Sequence, residues 1–121
     1  MEIKNYKDLV TWQKSMSLVT EVYLCTRLFT KEEIYGLTSQ MKRAAVSIPS
    51  NIAEGHGRDS TKEYLHFLSI AYGSLMEIET QIQIAVNLKF MEQSEANKML
   101  FNTAEIGRMI NGLSRSLKSK L

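Results

Sequence analysis

Apolar residues follow the helical period along almost the whole chain, and no stretch alternates apolar and polar residues as a half-buried strand would. Short breaks separate four long segments, at about residues 6–28, 31–55, 60–88 and 94–118. Their similar lengths and short connections favour an antiparallel, up-down-up-down four-helix bundle. The sequence therefore predicts an all-α fold in which residues 1–121 form one domain, as the length suggests.

Residues that commonly cap helices mark the predicted helix starts. Asn5 is expected to cap the first helix. Thr30 with Glu33, and Ser60 with Glu63, have the spacing of capping boxes before the second and third helices.

Two residues of the second segment are unusual for a helix. Gly55 suits a left-handed termination, so the second helix is expected to end near it. Pro49 lies inside the segment, so the second helix either bends there or is divided into two shorter helices. The bend is favoured, because the apolar period continues through Pro49 in phase.

The first segment carries more apolar surface than a single bundle can bury. Its predicted core-facing stripe has spacings of three and four and consists of Leu9, Trp12, Met16, Val19 and Tyr23. Further apolar residues fall on its other sides, namely Val10, Leu18, Val22, Leu24, Cys25 and Leu28. One side of every helix in a four-helix monomer meets water, so this pattern predicts a homo-oligomer.

Composition places the chain among intracellular globular proteins. It is 44% hydrophobic and 23% charged, and its one cysteine excludes an intrachain disulfide and fits a reducing compartment. The opening residues lack the apolar core of a signal peptide, and no stretch approaches the roughly 18 apolar residues of a membrane span. We therefore expect a cytoplasmic protein that does not enter a membrane.

The formal net charge is only +2, but cations concentrate near the C-terminal end. Residues 107–121 contain no acidic residue and four basic ones, Arg108, Arg115, Lys118 and Lys120. Such a segment can contact a phosphate backbone or another acidic surface. The alternative is a solvated helix end whose cations complement the helix dipole.

A second basic group surrounds the connection between the second and third helices. Residues 55–60 read Gly-His-Gly-Arg-Asp-Ser, and His56, Arg58 and Lys62 are its basic side chains. Free N–H groups at the start of the third helix could hold a phosphate there. The lysine-serine ending of a P-loop is missing, so no nucleoside triphosphate site is expected. A glycine C-cap followed by an N-cap would explain every residue except the basic ones.

One face of the second helix carries a continuous polar stripe. Its members are spaced by three or four residues and are Gln40, Arg43, Ser47, Asn51, Glu54 and Arg58. The stripe could be a solvated face with local ion pairs, or a polar network with Glu77 and Gln81 as possible partners. It could also contact nucleic acid directly, in which case Lys42 and Arg43 supply positive charge.

No residue set predicts a catalytic, metal or cofactor site. The spacing of Glu63 and His66 occurs once, whereas di-iron bundles use it twice with two further glutamates. Cys25 lies in an apolar stretch without a nearby histidine, as a buried core thiol does. We therefore expect a protein that is not an enzyme and needs no cofactor.

Residues 43–55 carry a specific run, Arg-Ala-Ala-Val-Ser-Ile-Pro-Ser-Asn-Ile-Ala-Glu-Gly, within a longer distinctive segment at 35–58. Together with residues 8–13 and 71–81, this segment resembles the four-helix-bundle proteins encoded within intervening sequences of 23S ribosomal RNA genes. The similarity extends from residue 8 to residue 81 and becomes generic in the fourth helix.

The resemblance implies a bundle that assembles into a ring, commonly a pentamer. It also implies kinship with the accessory variability determinant of diversity-generating retroelements, which binds nucleic acid and works with a reverse transcriptase. That relative is markedly more basic than this chain. We thus expect a ring that binds RNA, DNA or a nucleoprotein through repeated basic patches; the alternative is an oligomeric scaffold that binds only protein.

Overall fold

The computed structural model describes residues 5–121, and all regular secondary structure within that range is helical. Two 3-10 turns, Tyr6–Asp8 and Lys31–Glu33, accompany four α-helices: α1 (Val10–Thr26), α2 (Leu37–His56), α3 (Thr61–Asn87) and α4 (Gln93–Lys118). The predicted all-α fold with four long helices is confirmed. Residues 1–4 lie outside the described range. They belong to the opening residues, in which the sequence analysis expected no signal peptide.

Each helix packs against its two neighbours, in the order α1, α2, α3, α4 and back to α1. Gly55, late in α2, faces Phe67, early in α3, whereas Ser47 near the middle of α2 meets Ser74 farther along α3. α2 and α3 therefore run antiparallel. The same reversed order holds between α3 and α4 and between α1 and α4. No helix in the described range is long and apolar enough to cross a membrane.

The core lies between the four helices and is filled mainly by branched aliphatic side chains. The largest apolar residues that are almost wholly buried are Leu18, Val22, Met41, Ile48, Ile52, Leu68, Leu75, Ile78, Ile82, Ile106 and Ile110. All but two of them belong to α2, α3 and α4, at spacings of three, four or seven residues that repeat the helical period.

The predicted core stripe of the first helix is wrong. Met16 and Tyr23 are exposed, and Leu9, Trp12 and Val19 are only half-buried. The buried line lies about 100° around the helix and consists of Thr11, Ser15, Leu18, Val22 and Thr26.

Local hydrogen bonds explain why small polar residues replace the expected apolar ones in the core. The Ser15 hydroxyl donates to the Thr11 carbonyl at 2.8 Å, and the Thr26 hydroxyl donates to the Val22 carbonyl at 2.8 Å. Each hydroxyl thus satisfies its hydrogen-bonding requirement within its own helix and can be buried at little cost. The buried face of α1 thus combines these small polar residues with Leu18 and Val22.

The first two helices also begin later than expected. Asn5 caps the first 3-10 turn, where its side chain accepts a hydrogen bond from the Lys7 N–H at 2.9 Å, and extended Leu9 separates this turn from α1. Thr30 makes no capping hydrogen bond; instead the Glu33 carboxylate accepts from the Leu37 N–H at 3.1 Å. Because Glu33 caps the start of α2 itself, the predicted capping box at Thr30 is wrong.

The third helix begins where its cap predicts. The Ser60 hydroxyl accepts a hydrogen bond from the Glu63 N–H at 3.1 Å, and α3 starts at the next residue, Thr61. The first turn of α3 is therefore fixed at the point where the preceding connection ends.

Gly55 does not terminate α2 in a left-handed conformation. α2 continues to His56, and no glycine within residues 5–121 has a positive φ. A Cβ atom at position 55 would lie 2.8 Å from the Phe67 Cβ, so glycine is needed for the close approach of α3. Pro49 lies within a continuous α2, where it leaves the Ala45 carbonyl without its usual helical donor.

Candidate nucleic-acid interface

An elongated cleft of about 480 Å³ runs between the first turns of α3 and the last turns of α4. Antiparallel packing brings these two distant parts of the sequence together. Buried Leu68 and Ile110 form its apolar floor. The remaining lining residues are polar, basic or half-buried and comprise Lys62, Leu65, His66, Ser69, Tyr72, Asn111, Ser114 and Lys118.

The cleft is positively charged. Lys62 and Lys118 are exposed at its edges, His66 lies one turn from Lys62, and none of the described residues that line it is acidic. The positive end of the α3 dipole and the negative end of the α4 dipole both lie here and oppose each other, so the positive charge comes from the side chains. Ser69, Asn111 and Ser114 offer uncharged hydrogen-bonding groups beside these cations. Such a combination suits the phosphate and sugar groups of a nucleic-acid backbone.

A basic stripe continues from the cleft along the exposed side of α4. Arg108, Asn111, Arg115 and Lys118 are spaced by three, four and three residues, so they share one side of the helix. Both arginines are exposed, and neither forms an ion pair within residues 5–121. Lys120 follows the end of α4 and is also exposed.

The predicted basic corner at His56 and Arg58 is occupied by local contacts. The Arg58 guanidinium contacts the Glu54 carboxylate at 3.1 Å and lies over the Phe67 ring, 4.7 Å from its centroid. His56 packs edge-on against Tyr64 with ring centroids 5.8 Å apart. These contacts tie α2 to α3, so a phosphate would have to compete with Glu54 for Arg58.

Lys42 and Arg43 are not brought to the cleft. They lie on α2, which packs on α1 and α3, and Arg43 is about 22 Å along the helix from Arg58. The Lys42 ammonium lies 4.8 Å from the centroid of Tyr23 on α1. The nine basic residues suggested by the sequence therefore divide into a group around the cleft and α4, a pair at the corner, and a separate pair on α2.

The polar stripe of α2 includes both network members and solvated residues. Ser47 accepts a hydrogen bond from Ser74 at 2.8 Å and from the Asn51 side chain at 2.9 Å, and all three are half-buried. Of the remaining stripe residues, Gln40, Arg43 and Glu54 are exposed. A small network thus links the middle of α2 to α3, beside a solvated edge.

Glu77 and Gln81 pair with each other rather than with the stripe. The Gln81 amide donates to the Glu77 carboxylate at 3.2 Å. Gln81 is only 4% exposed, and its carbonyl oxygen accepts no hydrogen bond from the described residues.

Cys25 lacks the chemistry of a nucleophile. Burial, reinforced by the carboxylates of Glu95 and Glu21, raises the pKa of its thiol to about 11. At neutral pH the thiol is therefore almost entirely protonated, and thiolate is the reactive form. Glu63 and His66 are both exposed, and no cluster of three or more potential metal ligands occurs within residues 5–121.

Alkylation of Cys25 tests this environment. Iodoacetamide at pH 8 is expected to react with the native protein roughly 100-fold more slowly than with an unhindered cysteine, because the raised pKa reduces the thiolate fraction. The rate should keep rising with pH beyond pH 10, as the thiol approaches its pKa. Protein unfolded in urea supplies the control and should react at the ordinary rate; equally fast native labelling at pH 8 would contradict the raised pKa.

The sequence analysis missed Ser69, Asn111 and Ser114 of the cleft and considered His66 only as a metal ligand. The sequence does contain a spacing pattern that could have identified these residues. Lys62, His66 and Ser69 follow one line of α3 with spacings of four and three, whereas Asn111, Ser114 and Lys118 follow one line of α4. Without the pairing of the two helices, however, neither line indicates that they border the same cleft.

A second surface, the α1/α2 groove, is apolar. It measures about 360 Å³ and is lined by Tyr6, Trp12, Met16, Val19, Val46, Pro49, Ser50 and Ala53. Met16 is 42% exposed and Val46 is 40% exposed. The groove therefore contains three members of the apolar stripe that the sequence assigned to the core, of which Met16 is exposed and Trp12 and Val19 are half-buried.

Comparisons with known proteins agree with this architecture. The chain is similar to a crystal structure from Bacteroides thetaiotaomicron, described as a protein with unknown function from the S23 ribosomal protein family. The match has 20% identity and a TM-score of 0.81, and it covers 90% of this chain and 98% of the other, which shows a shared fold. No curated protein matches the chain.

The family relationship rests on the sequence itself. The model of the family described as 23S rRNA-intervening sequence protein matches residues 7–112, which is most of the chain. This match includes the whole distinctive segment at 35–58 and confirms the resemblance. The chain therefore belongs to the 23S rRNA-intervening sequence protein family.

Proposed function

We propose that this protein is a non-enzymatic, ring-forming homo-oligomer that binds nucleic acid, alone or within a nucleoprotein, through the α3/α4 cleft of each protomer. The observation that carries the nucleic-acid half is the gathering of Lys62, His66 and Lys118 in one cleft whose described lining has no acidic residue. The basic stripe of Arg108 and Arg115 extends that surface.

Assembly is supported by the α1/α2 groove. When a second copy covers its exposed apolar side chains, their burial stabilises the assembly by roughly 25 cal/mol per Å² of apolar surface. The proposal commits to a closed ring, with five members as the expected number. Five copies, each with a formal charge of +2, would carry +10.

The repetition of the cleft in each protomer of the ring would allow a weakly charged protomer to bind nucleic acid tightly. Two or three phosphate contacts per protomer give only weak binding on their own. When several clefts engage one nucleic acid, the later contacts form within the same complex and strengthen binding without new chemistry. The proposal places the protein in the cytoplasm, where a reducing environment suits its single thiol.

Binding to RNA and DNA at two salt concentrations tests the nucleic-acid half. The wild-type protein is expected to bind a labelled RNA or DNA at about 50 mM salt and to lose most of its affinity by about 200 mM, because phosphate contacts release counterions. Lys62→Glu/Lys118→Glu should reduce the affinity at least tenfold. It should also reduce the slope of log affinity against log salt concentration by about two for each protomer engaged, because two phosphate contacts are lost. Fluorescence anisotropy measures both quantities.

A charge-matched variant controls for net charge. Lys31→Glu/Lys89→Glu makes the same change at two exposed lysines in the connections at the opposite end of the bundle, and it should reduce affinity much less. Arg58 is unsuitable for this test, because its contacts with Glu54 and Phe67 stabilise the packing of α2 on α3. Undetectable binding of both nucleic acids at about 50 mM salt would disprove the nucleic-acid half.

The competing function is a protein-binding oligomeric scaffold. The apolar α1/α2 groove favours it, because such a surface suits protein partners better than phosphates. An intact oligomer that binds neither RNA nor DNA would support the scaffold. Equal effects of the cleft variant and its charge-matched control would show that charge alone, rather than the cleft, determines binding.

A further inference from the structure

Phe101 is the one large apolar side chain of α4 that is mostly exposed, with 68% of its surface open to solvent. It lies in a shallow depression of about 410 Å³ together with Asn97, Lys98 and Asn102. The core contacts of this part of α4 are made by Met99 and Thr103. Phe101 therefore contributes little to the packing of the bundle.

The polar groups around Phe101 are held in a defined arrangement. The Asn97 carbonyl oxygen accepts a hydrogen bond from Gln93 at 2.9 Å, which leaves its amide N–H groups as donors. The Asn102 amide donates to the Glu21 carboxylate at 3.1 Å, which leaves its carbonyl oxygen as an acceptor. A donor, an acceptor and the Lys98 ammonium thus surround one exposed aromatic ring.

These groups match the chemistry of an unpaired nucleobase. An aromatic ring stacks on the face of a base, side-chain amides bond to its edge, and a lysine neutralises the adjacent phosphate. A base inside a duplex offers none of its faces to such a ring, because both faces are stacked on neighbouring bases.

Phe101 is also aligned with the basic stripe of α4. Arg108 and Arg115 follow it at intervals of seven residues, which is almost two full turns, so all three share one side of the helix. Successive members are about 10.5 Å apart along the axis. A strand with one base on Phe101 can therefore pass over both arginines and reach Lys118 at the cleft.

We propose that Phe101, with Asn97, Lys98 and Asn102, binds an unpaired nucleobase, so that the preferred ligand is single-stranded nucleic acid lying along α4. This inference rests on the proposed nucleic-acid binding and adds the form of the ligand. The ring supplies stacking, while the arginines and the cleft supply phosphate contacts common to single strands and duplexes.

Binding of a single-stranded 20-mer and of the corresponding duplex to the full-length protein tests the proposal. Phe101→Ala is expected to weaken single-strand binding by roughly 5- to 100-fold, the usual effect of removing one stacked base. It should change duplex binding by less than about twofold. Phe101→Trp should restore single-strand affinity, and the fluorescence of the new indole should be quenched when the strand binds.

A matched variant removes another exposed apolar side chain. Leu88→Ala changes a residue that is 53% exposed at the end of α3, outside the stripe, and should leave both affinities unchanged. RNA and DNA versions of the 20-mer show whether the sugar matters.

The outcomes separate this inference from the proposed function. If the wild type binds neither ligand, the proposed nucleic-acid binding itself is wrong. If the wild type binds but Phe101→Ala weakens single strand and duplex equally or not at all, the stacking site is disproved while the cleft stands. A smaller sedimentation coefficient for Phe101→Ala would instead assign Phe101 to an interface between protomers and overturn the proposal.

Discussion

Introducing charge into the α1/α2 groove is expected to convert the proposed homo-oligomer into a folded 13.8 kDa monomer. Met16→Glu/Val46→Glu places one carboxylate on each wall of the groove. Both side chains are at least 40% exposed in the protomer, so the monomer can keep the new charges solvated. A second copy covering the groove would have to bury them, at a cost of several kcal/mol for each unpaired charge. Sedimentation velocity at micromolar concentration measures the change.

Val10→Glu is the matched control for this variant. Val10 is 51% exposed on the same helix, but it lies about 120° around α1 from Met16. It should leave the sedimentation coefficient unchanged. Assembly through the groove would be disproved by a wild-type protein that already sediments as a folded monomer, or by a double variant that remains oligomeric; circular dichroism shows whether each variant is folded.

The monomeric variant also distinguishes the contribution of multivalency to affinity from the contribution of a single cleft. The groove lies between α1 and α2, whereas the cleft lies between α3 and α4, so the charged groove leaves every phosphate-binding group in place. The affinity for a long nucleic acid should therefore fall toward the affinity of a single cleft. The expected decrease is about 10²- to 10⁴-fold, which is the usual gain from multivalent binding. A short oligonucleotide that reaches only one cleft should bind both forms almost equally.

The sequence predicted the four helices well because three of them carry a strong apolar period. In α2 and α3 the core positions are mostly Ile, Leu, Met and Ala at spacings of three and four, and these residues are buried as expected. The Ser60 cap also placed the start of α3 correctly, since a side chain three residues before the glutamate can reach its N–H group. Local physical rules were sufficient for these elements.

The orientation of α1 could not be predicted in the same way. Its buried line contains two threonines and a serine, and a hydropathy pattern counts these as polar. The Ser15 and Thr26 hydroxyls bond to carbonyls of the preceding turn, which reduces the penalty for burial. A hydropathy pattern along one helix therefore does not identify the buried face of α1, because that face is selected only in the assembled bundle. The error is consistent with the proposed assembly, because it leaves Met16 and Tyr23 exposed and the other members of the apolar stripe only half-buried.

Only part of the candidate site could be predicted from the sequence. Lys62 and Lys118 were identified as basic residues, but they are 56 positions apart and only the antiparallel packing of α3 and α4 joins them. Arg58 was grouped with Lys62 because the two are close in sequence. The structure turns Arg58 toward Phe67 and Glu54, whereas Lys62 faces the cleft. Nearness along a chain does not determine the side of a helix on which a residue lies.

Gly55→Ala is expected to lower the free energy of unfolding by about 1–3 kcal/mol, although alanine is the better helix former. The new Cβ would lie 2.8 Å from the Phe67 Cβ and 3.3 Å from the Tyr64 carbonyl oxygen. Both atoms belong to the backbone or directly adjoin it, so α3 as a whole has to move away from α2. Urea unfolding in the Met16→Glu/Val46→Glu background measures the change without a contribution from assembly.

Gly73→Ala is the same substitution at another position, and it is expected to raise the free energy of unfolding rather than lower it. Gly73 lies within α3, is exposed, and has no atom within 4 Å of the position of an added Cβ. Alanine there should raise the free energy of unfolding by about 0.5–1 kcal/mol, because glycine is costly in a helix that has no packing reason for it. A Gly55→Ala protein as stable as Gly73→Ala would show that α2 and α3 do not meet as closely as described.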